Sequence, residues 1–253
     1  MTAKKELNPL KLIITLLTFG CCLQVYAGNN FQFRTIDVKD GLTDNFIRDI
    51  HQDSYGFMWF ATLNGLSRYD GYRFKSYLPT TVGHYNNDIS EVRETADSTL
   101  WILSGNTYII YNRKLDCLDA DKVEAVLQNL GLPSQPDKLF IDDDKNLWAA
   151  KGNKLYRYDF KQKKISSINI IGKSSVLDIA TKEDLVFALT DDGSFYRMDL
   201  GRGTMYKENQ VLLPSMQQHH RIYIDYLNHL WIYTAHSVSN RPKCYYINEH
   251  RWI

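Results

Sequence analysis

Beyond residue 30 the chain alternates between short apolar runs and short polar clusters, and the alternation repeats. One aromatic residue inside an apolar run marks each copy: Trp59, Trp101, Trp148, Phe187 and Trp231, separated by 42, 47, 39 and 44 residues. Repeats of about 40 to 50 residues are the size of a unit that folds as one small sheet. The flanks recur as well. Met58, Leu100, Leu147, Val186 and Leu230 stand one position before the anchors; Asp53, Thr95, Asp142, Thr181 and Asp225 stand six before. The first set is apolar throughout. The second always carries a short side-chain oxygen, the group that bonds nearby backbone N–H and fixes a turn. Nine positions before the anchors stand Ile50, Val92, Leu139 and Ile222, with Asp178 the exception. Three after stand Thr62, Ser104, Thr190 and Thr234, with Lys151 the exception, and ten after stand Tyr69, Tyr111 and Tyr158.

Each copy predicts four antiparallel strands. An apolar strand ends at the Asp or Thr, and a polar turn such as Ser54-Tyr55-Gly56 leads to the strand that carries the anchor. A tight turn at Leu63-Asn64-Gly65 or Lys151-Gly152-Asn153 then opens a third strand, and a weaker fourth follows, as at 72–77. Asn-Gly between apolar runs is a strong hairpin signal. One such sheet cannot cover both of its faces, so the copies are expected to stack radially with each anchor buried against its neighbour. The fold class predicted is all-β, a β-propeller of about five four-stranded blades. The anchors are read as packing groups rather than a sugar-stacking platform. Asp121 to Leu130 has a helical period, with Val123, Val126, Leu127 and Leu130 on one face and Gly131 and Pro133 to stop it. It predicts one helical insertion between the second and third repeats, which accounts for the longest spacing.

Composition changes this picture little. Of 253 residues, 44% are hydrophobic and 23% charged, a balance that supports a folded core. The formal net charge of +1 gives no electrostatic case for nucleic acid or an anionic membrane surface. The first residues read as an export signal: Lys4, Lys5 and Lys11, the apolar run Leu12 to Phe19, then Val25-Tyr26-Ala27 with cleavage after Ala27. Acylation of Cys21 or Cys22 is the minor alternative. The expected domains are a signal peptide over 1–27 and a propeller over 28–253. The mature chain keeps Cys117 and Cys244, either as a disulfide or as two separate thiols.

The first repeat runs Asp40-Gly41-Leu42-Thr43-Asp44-Asn45, then Ile47, Ile50 and Asp53, then 56–62 (GFMWFAT), then 64–71 (NGLSRYDG). This stretch resembles the two-component-regulator propeller repeat, and the later repeats resemble it more loosely. The resemblance implies a periplasmic sensor of a hybrid two-component system, one that detects oligosaccharides and switches on genes for their use. Seven blades close such a ring in that family, so about five repeats imply an incomplete ring: a truncated product, a fragment or a split sensor. No kinase or receiver sequence is present here, so the family's kinase activity does not carry over.

Few residues invite chemistry of their own. Asp142-Asp143-Asp144 lacks the spaced acidic ladder of a calcium loop and is read as a turn. His219, His220, His229 and His236 lack metal-ligand spacing, and Cys117 has no His near it in sequence. Lys161 to Lys164 is read as a solvated hairpin end. No catalytic, cofactor-binding or metal-binding residue is predicted, and no ligand-binding residue is identified. The expected function is a periplasmic, glycan-responsive sensor propeller without its own kinase. The alternatives are a non-signalling remnant, an interaction scaffold or, less favoured, a propeller lyase or glycosidase. The expected partners are an oligosaccharide, a second copy or a separate C-terminal sensor and kinase part; neither nucleic acid nor membrane is expected to contact the mature chain.

Overall fold

The computed structural model describes residues 33–83, 86–105, 107–210, 219–225, 227, 229–235, 244–248 and 251–252. The expected signal at 1–27, with Cys21 and Cys22, and His236 lie outside the described residues. Asp37–Ile253 forms one compact unit, and within it the strands fall into five sheets.

The first sheet holds β1 (Ile47–Gln52), β2 (Met58–Thr62), β3 (Gly65–Tyr69) and β4 (Phe74–Tyr77). The second holds β5 (Ile89–Glu94), β6 (Leu100–Ser104), β7 (Thr107–Asn112) and β8 (Cys117–Asp119). After the helix α1 (Lys122–Asn129), the third holds β9 (Lys138–Ile141), β10 (Leu147–Lys151), β11 (Lys154–Asp159) and β12 (Lys164–Asn169). The fourth holds β13 (Val176–Lys182), β14 (Leu185–Thr190), β15 (Ser194–Asp199) and β16 (Thr204–Gln210). The fifth holds β17 (His219–Ile224), β18 (Leu230–Ala235), β19 (Cys244–Asn248) and β20 (Arg251–Trp252). In every sheet the strands pair in chain order, so each sheet is an antiparallel meander, one blade of a propeller.

The apolar core sits in the seams between blades, not inside any one of them. Trp59, Ala61 and Leu66 of the first blade pack with Val92, Leu100, Ile102 and Ile109 of the second. Trp101 and Ile110 pack with Leu139, Leu147 and Ala149 of the third. Trp148, Ala150 and Leu155 pack with Ile179, Val186 and Ala188 of the fourth, whose Leu189 and Phe195 in turn meet Ile222, Leu230 and Ile232 of the fifth. Burying a large apolar side chain is worth about 1.5–3 kcal/mol, so each seam collects the stability that a lone sheet lacks. Repeat logic explains exposure. Trp59, Trp101 and Trp148 are 0–2% exposed, each covered by the blade that follows. Trp231, at the same position in the fifth blade, is only half-buried. Ile50 of the first blade is 52% exposed, whereas its counterparts Val92, Leu139 and Ile222 are buried. Among the described residues, no apolar cluster joins the fifth blade to the first.

The oxygen six positions before the anchor does more than fix a turn. Its partner is the anchor's own indole: Trp59 Nε1 donates to Asp53 Oδ2 at 2.9 Å, Trp148 to Asp142 at 2.8 Å and Trp231 to Asp225 at 3.0 Å. Trp101 donates to the Thr95 hydroxyl at 3.2 Å. The same carboxylates cap the turn backbone; Asp53 Oδ1 accepts the N–H groups of Tyr55 and Phe57. One group therefore sets the turn and orients the large ring that enters the seam. Glu94 adds a polar tie across three blades, accepting from Ser54, Arg113 and Lys145.

The fourth blade corrects the sequence alignment. Thr181 is not in a turn: it lies in β13 and pairs with Val186, and the turn is the short Glu183-Asp184. The hairpin is one residue shorter than in the first blade, where His51 pairs with Trp59. The shortening moves Ile179 into the apolar slot and makes Asp178 the counterpart of Asp49, which removes the apparent exception. Phe187 has no N–H to donate, so the clamp is absent with its oxygen.

Helix α1 lies where the period placed it, between the second and third blades. Leu127 is buried in that seam, with Val123, Val126 and Leu130 packed beside it. Gly131, at φ +71°, donates to Gln128 O, and Leu132 N–H returns to Leu127 O. This left-handed cap closes the helix.

The clamp predicts a contrast in stability. Asp142→Ala leaves a buried indole N–H unmet and should cost about 2 kcal/mol in urea unfolding followed by tryptophan fluorescence. Thr181→Ala, at the same sequence offset, should stay within about 0.5 kcal/mol.

Candidate functional site

In a propeller the blades surround a central channel; among the first strands here, β1 lies against β5, β9 against β13 and β13 against β17. Each presents one charged residue at the same register, opposite the residue two after the anchor: Asp49 faces Ala61, Glu91 faces Leu103, and Lys138 faces Ala150. Asp178 faces Leu189, and Arg221 faces Tyr233. Sequence reasoning missed this ring. Its signal is a charge ten positions before each tryptophan anchor, hidden in the fourth repeat by the shorter hairpin.

Ring residues bind the next first strand. Asp49 Oδ2 accepts Val92 N–H at 2.9 Å and Arg93 Nη1 at 2.6 Å. Lys138 Nζ donates to Leu177 O at 2.8 Å. Asp178 Oδ2 accepts Ile222 N–H at 2.8 Å. Glu91 breaks the rule by pairing with the fifth blade: its Oε2 accepts Arg221 Nη2 at 2.7 Å, while Arg93 Nε lies 3.3 Å from its Oε1. Arg221 thus ties the fifth blade to the second.

A polar cavity of about 230 Å³ opens among these strands, lined by Glu91, Arg93, Asp178 and Arg221 together with Phe140, Tyr223 and Tyr233. Tyr223 and Tyr233 are more than a third exposed. The cavity offers carboxylate acceptors, guanidinium donors and aromatic rings, the groups that fix a polar ligand. Burial dominates its electrostatics. It pushes the Asp178 carboxyl up to about 6, against the pull of Arg221, Ile222 N–H and Lys138. Burial likewise lowers the Lys138 ammonium below its ordinary value, with Asp178 opposing.

The residues set aside from sequence fall elsewhere. Asp142 caps its turn, accepting Asn146 N–H at 2.7 Å, and Asp143 lies at the cavity rim. His220 is buried in β17, and His229 bonds Asp225. Cys117 is a free, half-buried thiol in β8; the Cys244 side chain lies outside the described residues. Lys161 to Lys164 spans the β11–β12 turn, as expected.

Comparison with known proteins agrees with this architecture. Fold and repeat together make the chain a β-propeller protein. Residues 41–64 match the two component regulator propeller family. Over 49 residues it is 41% identical to Histidine kinase P4 of Formosa agariphila, a stretch that is 19% of this chain and 4% of that protein. Among solved structures it is similar to the extracellular domain of a putative hybrid two component system of B. thetaiotaomicron. That match has a TM-score of 0.56 and 18% identity, over 87% of this chain and 31% of the other. At such identity the likeness is one of fold, and the chain spans under a third of that structure.

The ring makes one prediction. Arg221→Gln leaves Glu91 and Asp178 without their shared cation. It should cost about 1–3 kcal/mol by urea unfolding at about pH 7.5. Below about pH 5 the loss should shrink, because Asp178 is then largely neutral.

Proposed function

We propose that this chain is a ligand-sensing propeller of a two-component regulatory system, exported to the periplasm and responsive to a glycan. The observation that carries the reading is the channel cavity, where charged and tyrosyl side chains converge without serving the apolar seams. Sugar hydroxyls both donate and accept, so they suit a wall that offers carboxylates and guanidiniums side by side. Tyrosine rings suit the apolar face of a pyranose. The family repeat and the similarity to an extracellular domain support the sensing role and the exported location. Among the described residues no helix is long and apolar enough to cross a membrane. The signalling output is then a change in blade packing passed to a kinase part, and the propeller itself turns over no substrate.

Isothermal titration of the folded chain against plant and host oligosaccharides tests the reading. At least one should bind saturably, release no product on long incubation, and bind at least about tenfold more weakly to Arg93→Ala. A folded sample that binds none of them contradicts it.

A further inference from the structure

The seam between the fourth and fifth blades is built differently at the channel from the seam between the first and second. In both, a ring carboxylate accepts the backbone N–H of the next first strand, Asp49 from Val92 and Asp178 from Ile222. Asp49 also has a close cation, with Arg93 Nη1 at 2.6 Å, and its side chain is 20% exposed. Asp178 has no such match. Its side chain is 5% exposed, and the nearest guanidinium nitrogen, Arg221 Nη1, stands 3.7 Å from Oδ1, beyond hydrogen-bond range. Glu91 draws Arg221 away across the channel, holding Nη2 at 2.7 Å.

We propose that Asp178 is a proton-operated catch: a neutral Asp178 keeps β13 and β17 shut at the channel, and its deprotonation favours their parting. The device does not depend on the sensing role, although Asp178 lines the same cavity. The groups around Asp178 come from every packed neighbour: Arg221 and Tyr233 of the fifth blade, Lys138 of the third, and Glu91, Arg93 and Tyr108 of the second. Arg221 and Lys138 favour the charged carboxyl and Glu91 opposes it, but burial outweighs them and raises Asp178 to about 6. Parting the strands admits water and returns the group toward its ordinary value of 3.8. The shut state therefore holds the proton more tightly. Its advantage is complete below about pH 4 and lost as the pH rises through about 6, a change of at most about 100-fold in the opening equilibrium.

Hydrogen exchange of the full chain, corrected for the intrinsic effect of pH, reads this directly. Protection of the Ile222 amide should fall at least about tenfold between about pH 4.5 and pH 7.5. Val92, held by the matched Asp49, should stay level. Asp178→Asn, which keeps an acceptor for Ile222 N–H without a charge, should abolish the dependence. The proposal is overturned if Ile222 and Val92 change in parallel, a comparison that needs only the unmutated chain. It is also overturned if a folded Asp178→Asn protein keeps the pH slope.

Discussion

A four-stranded sheet with two apolar faces cannot bury both, and the whole architecture answers that constraint. The anchors Trp59, Trp101 and Trp148 leave their own blades and are covered by the next, so what is core in this protein is the seam. The exposed Ile50 obeys the same rule, because it occupies a seam position with no apolar cluster against it among the described residues.

Radial stacking has a second consequence. It brings the first strand of each blade beside its neighbour, and backbone groups that face a channel need partners. The charged ring supplies them through side chains that reach one strand onward. Glu91 departs from this use by reaching Arg221 of the fifth blade, and the strand neighbours it leaves behind line the cavity. The same departure strips Asp178 of a close cation. The same place thus holds both the polar opening and a buried carboxylate whose nearest guanidinium nitrogen stands 3.7 Å away.

How much of this the sequence disclosed follows from which forces act locally. Blade length, the four-strand order and helix α1 were legible, because apolar period and turn chemistry are written within one repeat. The oxygen at Asp53 was legible as a turn former but not as the acceptor of an indole N–H, since that bond needs the turn's three-dimensional closure. Asp178 was misread as an apolar position gone wrong; one deleted turn residue had shifted the register, and linear offsets cannot show that. The cavity was not legible at all. Glu91 and Arg221 stand 130 residues apart, and only the curvature of the whole array joins them.

The blades are held by tryptophans clamped into their shared seams. Nuclear magnetic resonance of the indole N–H groups in the intact chain reads this clamping. Trp59, Trp101 and Trp148 should exchange with deuterium slower than free tryptophan by at least about 1,000-fold, each being buried and bonded. Exchange of all three at the rate of free tryptophan, in a sample that retains its β-sheet circular dichroism, would contradict it.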